Sequence, residues 1–261
     1  MNGYFEIGWT DVVVSLALVG VLLVVAIVQR LGIGRSVVVG TVRTFAQLMI
    51  IGYVLKFLFD FSRWYWVLLM LGVMIAVATR TAASREESGR PGRNLTAGAA
   101  IGLGVVITMA TVIGLVVRIR PWYTPQIVVP ISGMVIGNTM NAVALTTTRF
   151  TSELGLRRAE VEAALALGAT SAQACVRPFR NAIKSALIPT LNALMVVGLV
   201  QLPGMMSGQI IAGVLSVQAV RYQIVVMYMI ACGAAVGSLV AATLLRRQLF
   251  TARHQLRSEY L

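Results

Sequence analysis

The stretch VVVSLALVGVLLVVAIV, residues 12–28, holds one hydroxyl group and no charged side chain. As a helix it would be about 25 Å long, close to the ~30 Å hydrocarbon core of a bilayer. Six further apolar runs follow, at 37–59, 64–79, 95–117, 127–148, 182–202 and 222–245. Seven such runs in 261 residues leave too little polar surface to coat a water-soluble fold. Charged residues make up 12% of the chain, about half the ~25% usual in soluble domains. Lipid offers no partners to backbone N–H and C=O groups, so each run has to be helical. The expected fold class is an all-α polytopic membrane protein with seven spans in a single permease-like domain, 1–261.

The basic residues orient it. With the N-terminus outside, the inner side holds Arg30, Arg35, Arg80, Arg85, Arg90, Arg93, Arg149, Arg157, Arg158, Arg177, Arg180, Lys184, Arg246, Arg247, Arg253 and Arg257. The outer side holds only Lys56, Arg63, Arg118, Arg120 and Arg221. The positive-inside rule then predicts the N-terminus out and the C-terminus in the cytoplasm. The net charge of +13 is read the same way, as anchoring to anionic lipid rather than binding to nucleic acid. The segment MNGYFEIGWTD has Glu6 and Asp11 but no Lys or Arg, so it lacks the basic region of a secretory signal.

Residues 204–220, GMMSGQIIAGVLSVQAV, are apolar but carry Gly204, Gly208, Gly213 and two glutamines. As an eighth span they would put the basic C-terminus outside. They read instead as a re-entrant or outer-surface helical element, or as an ordinary loop packed on the bundle.

Several chemistries find no foothold. Cys175 and Cys232 are not in a CxxC pair, so neither a disulfide nor a metal finger is expected. His254, the single histidine, is expected to be solvated in the C-terminal tail. No Ser/His, Asp/Asp or HExxH constellation is present, which argues against an enzyme. No carboxylate lies inside the seven runs, which argues against an ion-driven transporter. There is no G-x-x-x-x-G-K-[ST], and GIGRS at 32–36 lacks the lysine and spacing to cradle phosphates.

The largest internal connection, 149–181, contains the alanine-rich stretch EVEAALALGAT at 160–170. Glu160 and Glu162 sit where the helix dipole favours anions. Gly168 can supply the left-handed position that ends the helix. Thr170 with Gln173 forms a capping box for a second helix. The chain is expected to turn again near Pro178. Ala163, Ala164 and Ala166 leave a smooth surface, with Leu165 and Leu167 as apolar knobs, and Ala169 and Thr170 complete the docking segment after Gly168. Such a helix docks a cytosolic partner or lies on the membrane surface.

Glu162-Ala163-Ala164, three residues, then Gly168 resembles the EAA-x3-G motif of ABC-transporter permeases. ALIPTLNALMVVGLVQLPGMMSGQI at 186–210, RYQIVVMY at 221–228 and TVRTFAQL at 41–48 resemble the FetB-type permease family, described as part of a bacterial iron exporter, and the similar plant aluminium-sensitivity permeases. The resemblance covers nearly the whole chain. It implies a bacterial inner-membrane permease, working as a homodimer, whose 159–169 coupling helix docks a separate ATPase chain. That chain would bind ATP and Mg; this one would carry no cofactor. Many importers place a Leu-Pro about a dozen residues after the motif glycine; here the nearest prolines are Pro178 and Pro189.

Polar residues inside spans are candidates for a translocation pathway. Arg43 and Gln47 share one face of the second run, with Arg43 near enough to the inner interface to snorkel there instead. Met134, Asn138, Asn141, Leu145 and Thr148 share a face of the fifth. Asn192 and Met195 share a face of the sixth, and Gln201 in a straight helix would point away from Asn192. The asparagines could equally serve as interhelical hydrogen bonds. Met205, Met206 and Gln209 complete the candidates. With no intramembrane Asp, Glu or His, the metal ligands are unknown, and a metal ion, a chelate, an anionic metabolite or a nucleotide sugar all stay open. A membrane scaffold that merely docks a partner is the alternative from another class.

Overall fold

The computed structural model describes residues 8–61, 63–86, 89–116, 120–251 and 253–257. Glu6, Arg118 and the last residue of the 95–117 run lie outside them. The described residues are helical nearly throughout: α1 (Trp9–Val28), α2 (Gly34–Phe61), α3 (Trp64–Ala83), α4 (Arg93–Thr111) with a π-helical turn (Val112–Val116), α5 (Pro125–Leu156), α6 (Arg158–Ala166), α7 (Ser171–Ala174), α8 (Val176–Val196), α9 (Gly204–Ile211) and α10 (Ser216–Leu249). Among the described residues, six helices are long and apolar enough to cross a membrane: α1, α2, α3, α4 with its π turn, α5 and α10. The protein is a polytopic, all-helical membrane protein.

The chain divides into two compact units, Met1–Phe61 and Ser62–Leu261. The first is the α1–α2 hairpin, in which the Trp9 and Phe45 rings meet edge-on at 6.4 Å. The second is a bundle in which α5 and α10 are the central members, packed on each other and both on α4 and α8.

Glycine governs that packing. A Cβ on Gly237 would lie 2.5 Å from Thr139 Cγ2, and one on Gly104 would lie 2.9 Å from the Gly233 carbonyl oxygen. A Cβ on Gly233 would come within 2.7 Å of Thr139 Oγ1 and 2.9 Å of Val135 Cγ1. Close backbone approach through small residues is how helices gain contact in lipid, where burial alone gives no drive. The pairs Gly98/Gly102 and Gly133/Gly137 matter less: Gly98 faces Thr79 and Gly133 faces Met74, but Gly102 and Gly137 face open space.

Two elements depart from the sequence reading. The 182–202 run is not one continuous helix. Helix α8 begins earlier, carries Arg177, Arg180 and Lys184 in its first half, and stops at Val196. Its apolar half, 185–196, is about 18 Å long, short of the ~30 Å hydrocarbon core. Gly198 at φ +85° turns the chain, its N–H donating to the Gln201 carbonyl at 3.0 Å, and Pro203 caps α9. The 204–220 segment is therefore not one element: α9 ends at Ile211, Gly213 at φ +89° lies in the turn that follows, and 216–220 already belongs to α10.

The second departure is the 149–181 connection, which is mostly helix. Helix α5 runs on to Leu156, and α8 starts at Val176. The chain turns at Cys175 rather than at Pro178, which sits in the first turn of α8. There a proline lacks only an N–H that has no intrahelical partner. The 80–94 connection also holds a buried pair: Arg90 Nε donates to Glu86 Oε1 at 2.8 Å and Nη2 to Oε2 at 3.1 Å.

Gly237→Ala should destabilise the protein by about 1–3 kcal/mol through overpacking against Thr139. Gly102→Ala, in open space, should be neutral or stabilising by up to ~1 kcal/mol. Thermal unfolding in detergent, followed by gel filtration, distinguishes the two.

Candidate functional site

Helices α5, α8 and α10, with the 197–203 turn and the start of α9, enclose a cavity of about 350 Å³. Met134, Asn138, Asn141 and Leu145 of α5 line it, as the four-three spacing predicts. From α8 come Ala186, Pro189, Thr190 and Ala193, and from the turn Val197, Gln201 and Pro203. Gln223, Met227 and Ile230 of α10 close it. Gln223 was not among the sequence candidates; its spacing of four from Met227 in an otherwise apolar run was the available signal. It is buried, and its Oε1 has no hydrogen-bond partner among the described residues. Asn138 Nδ2 donates to the Met134 carbonyl at 2.8 Å.

Two more cavities adjoin. Asn141 and Leu145 also line a groove of about 410 Å³ with Thr81, Arg85 and Thr148. Gln223 and Met227 also line a chamber of about 320 Å³ with Leu202, Met206 and Tyr228. No cluster of three or more His, Cys, Asp or Glu able to hold a metal ion is found among the described residues.

At the end of the bundle that carries the basic connections, α6 rests on a buried cluster. Val161 and Leu165 pack onto Phe150 and Leu154 of α5, Ala182 of α8, Leu245 and Leu249 of α10, and Cys175. Phe150 meets Phe179 edge-on at 6.0 Å, and the Arg246 guanidinium lies 5.5 Å from the Phe179 ring centre. These contacts tie the ends of α5, α8 and α10 together, at about 1 kcal/mol each. Arg157 bridges Glu153 and Glu160 at 3.3 Å each, and Asn181 donates to Glu153 at 3.2 Å.

The opposite face of α6 is bare. Glu160, Glu162, Ala163, Leu167, Gly168 and Thr170 are exposed, Leu167 to 90%, while Ala164 and Ala169 are half-buried. Glu162 accepts from Arg158 Nε at 2.7 Å. Gly168 takes φ +89°, with Gly168 N–H donating to the Leu165 carbonyl and Ala169 N–H to the Ala164 carbonyl, both at 3.0 Å. That is the glycine-terminated end the sequence predicts. The Thr170–Gln173 capping box is formed as well. Leu165 is no external knob; its underside holds the helix to the bundle.

Residues 9–250 match the model of a family described as "Uncharacterised protein family (UPF0014)". The chain belongs to this family. It is 35% identical over 252 residues to the UPF0014 membrane protein STAR2 of Oryza sativa subsp. japonica, covering 97% of this chain and 87% of that one. It is 36% identical over 249 residues to the probable iron export permease protein FetB of Escherichia coli (strain K12), covering 93% of each. Protein ALUMINUM SENSITIVE 3 of Arabidopsis thaliana is 35% identical over 244 residues, 93% of this chain and 88% of the relative. No solved structure matches. The expected resemblance to the FetB-type permeases and the plant aluminium-sensitivity proteins is thus borne out.

In this UPF0014 member the remaining sequence candidates divide. Asn192 and Met195 are on the exposed face of α8, opposite to Thr190 and Ala193. Gln201 does line the cavity, because the chain has left the helix by then. Met206 lines the second chamber; Met205 and Gln209 are half-buried in α9 and line none of these three cavities. Arg43 and Gln47 are exposed residues of the first unit, and the cavity is built from the second alone. His254 is exposed but not simply solvated: its Nδ1 accepts from the Ser171 N–H at 3.3 Å.

Burial pushes the Cys175 thiol from the ordinary 9.0 up to about 11, with Arg246 pulling part of the way back. The neutral thiol is the form the fold favours. Its stabilising effect is intact below the ordinary value and is lost as pH climbs from about 9 through 11. In a Cys232→Ala background at pH 8, about one thiol in a thousand at position 175 is ionised. Maleimide should leave Cys175 unlabelled in the folded protein and label it on denaturation, as read by mass spectrometry.

Proposed function

We propose that this protein is the membrane subunit of an ATP-driven ABC-type exporter. A separate ATPase chain, binding ATP and Mg, would grip α6 from the cytoplasm. The observation that carries this reading is a shared set of helices. α5, α8 and α10 hold the underside of α6 at one end and line the polar cavity further along. A push on α6 therefore reaches the cavity walls through elements already in contact, which is how a rigid-body switch transmits motion. The bare outer face of α6, small side chains around one exposed leucine, suits close approach by a partner backbone.

In this reading the protein sits in a bacterial inner membrane, works as a pair of identical permeases with two ATPases, and itself catalyses no reaction. The N-terminus lies outside and the C-terminus inside, with α8 and the 197–203 turn making up the seventh crossing. Nucleic acid has no part in it. The substrate is iron, another metal or a metal-linked compound. The similarity to FetB, a probable iron export permease, supports that class.

The test is co-purification with ABC-type ATPase chains of the same organism and measurement of ATP hydrolysis. Leu167→Glu changes a side chain that is 90% exposed, so folding should persist. It should cut complex formation and permease-stimulated hydrolysis by about tenfold or more. Gly168→Arg should do the same, at some cost in backbone strain. A complex that forms undiminished with both variants overturns the docking role of α6.

A further inference from the structure

The 320 Å³ chamber lies where the end of α8, the 197–203 turn and α9 meet the first turns of α10. Its floor is buried, at Met206 and Met227, and its rim is exposed, at Leu202, Ile224 and Tyr228. Apart from Gln223 and Tyr228 the lining is apolar, and no charged side chain enters it. Apolar cavities of this kind stay dry and take apolar ligands.

Depth decides what faces the rim. Arg221 and Arg246 are separated by 222–245, which holds no charged residue. Along α10 they stand about 37 Å apart. That slightly exceeds the ~30 Å hydrocarbon core, so the two guanidiniums bracket it. Arg246 is at the α6 end, against the Phe179 ring. Arg221 therefore stands at the opposite headgroup level. Ile224 and Tyr228 follow it by three and seven residues on the same helix face, about 4–11 Å further in. The rim thus opens into acyl chains rather than into water.

Charge decides the headgroup. Arg221 is exposed and makes no ion pair among the described residues. The bundle's described carboxylates are all at the other end. Glu86 is on the connection whose Gly92 and Thr96 meet Gln248, and Glu153, Glu160 and Glu162 are around α6. Near Arg221 the bundle offers an uncompensated cation directly above an apolar chamber.

We propose that this chamber is a phospholipid site: it holds one acyl chain of an anionic phospholipid, such as phosphatidylglycerol, whose phosphate pairs with Arg221. A chain seated there touches α8, α9, α10 and the turn at once, whereas a surrounding lipid touches a helix from one side only. The inference goes beyond the transport reading and does not depend on it.

The experiment uses delipidated full-length protein in detergent, titrated with phosphatidylglycerol or phosphatidylcholine and read by native mass spectrometry. A single first site should favour phosphatidylglycerol by about fivefold. Arg221→Gln should abolish that preference, and Arg221→Lys should keep most of it. Ile224→Trp, which fills the chamber from its exposed rim, should weaken the first binding of both lipids about tenfold. Leu239→Trp, exposed on α10 away from the chamber, should leave it unchanged. Glycerophosphate, the headgroup without chains, should fail to displace the lipid. On the wild type, phosphatidylglycerol with a diazirine midway along one chain should label 194–206 and 220–228 above Leu103 and Val106, which are exposed on α4. Equal affinity for the two lipids, no distinct first site, or a first site indifferent to Arg221→Gln or to Ile224→Trp overturns the proposal. So does displacement by glycerophosphate, or labelling spread evenly over the exposed helices. Failure of ATPase docking would change none of these readouts.

Discussion

The close approach of α4, α5 and α10 depends on three missing side chains. Gly104, Gly233 and Gly237 leave room for Thr139 and Val135, and a single added methyl would meet an atom at 2.5–2.9 Å. In lipid the apolar faces of helices gain little by leaving their surroundings, so dispersion across a tight seam has to hold the bundle. The seam fixes α5 and α10 against each other near the middle of their lengths. Both helices are far longer than a bilayer requires, at 32 and 34 residues. What projects beyond the seam is therefore positioned by it: the cavity wall of Asn138 and Gln223 close by, and the cluster of Leu154 and Leu249 at one end.

The seam also explains why the cavity opens where it does. α8 lies against α5 and α10 but contributes none of these clamping glycines. Its interior holds Pro189, which removes one backbone hydrogen bond and lines the cavity. After Val196 the helix gives way to an irregular turn before α9. Irregular backbone is tolerated in such proteins where it is packed in protein or lines a cavity, and the 197–203 turn contributes three residues to this one.

Much of this was readable in the sequence, for specific reasons. The spacing of Met134, Asn138, Asn141 and Leu145 lies within one unbroken helix, so period alone placed them on one wall. Gly168 and the Thr170–Gln173 box were equally local. What failed was non-local or concerned chain breaks. Gly198 sits two residues beyond the end of α8, yet hydrophobicity ran on past it to residue 202 and suggested a continuous span. Leu165 and Leu167 have the same chemistry and differ only in which side of α6 meets Phe150, a fact no local pattern contains. Gln223 sat in a run whose apolar majority masked it; its significance lies in the two cavities it separates. Gly233 and Gly237 are spaced as a small-xxx-small pair, as are Gly98 and Gly102, and only the neighbouring helices distinguish the clamp from the bystander.

Mechanical consequences follow from where the stiff and compliant parts lie. Between Asn138 and Leu154, α5 contains no proline; Pro130 lies beyond the seam from α6. α10 is continuous from Gln223 to Leu249 and has no interior proline. These two are rods. α8, with Pro189 and a free-standing turn at its end, is the member that can bend without prying the seam apart. Its two ends meet different structures: Ala182 belongs to the cluster under α6, and Thr190 and Val197 face the cavity. Under the proposed coupling, a displacement delivered at α6 would be resisted by α5 and α10 and taken up by α8. The wall that would move is then the α8 side, so the cavity would change width while the Asn138 and Gln223 side chains stay with the two rods.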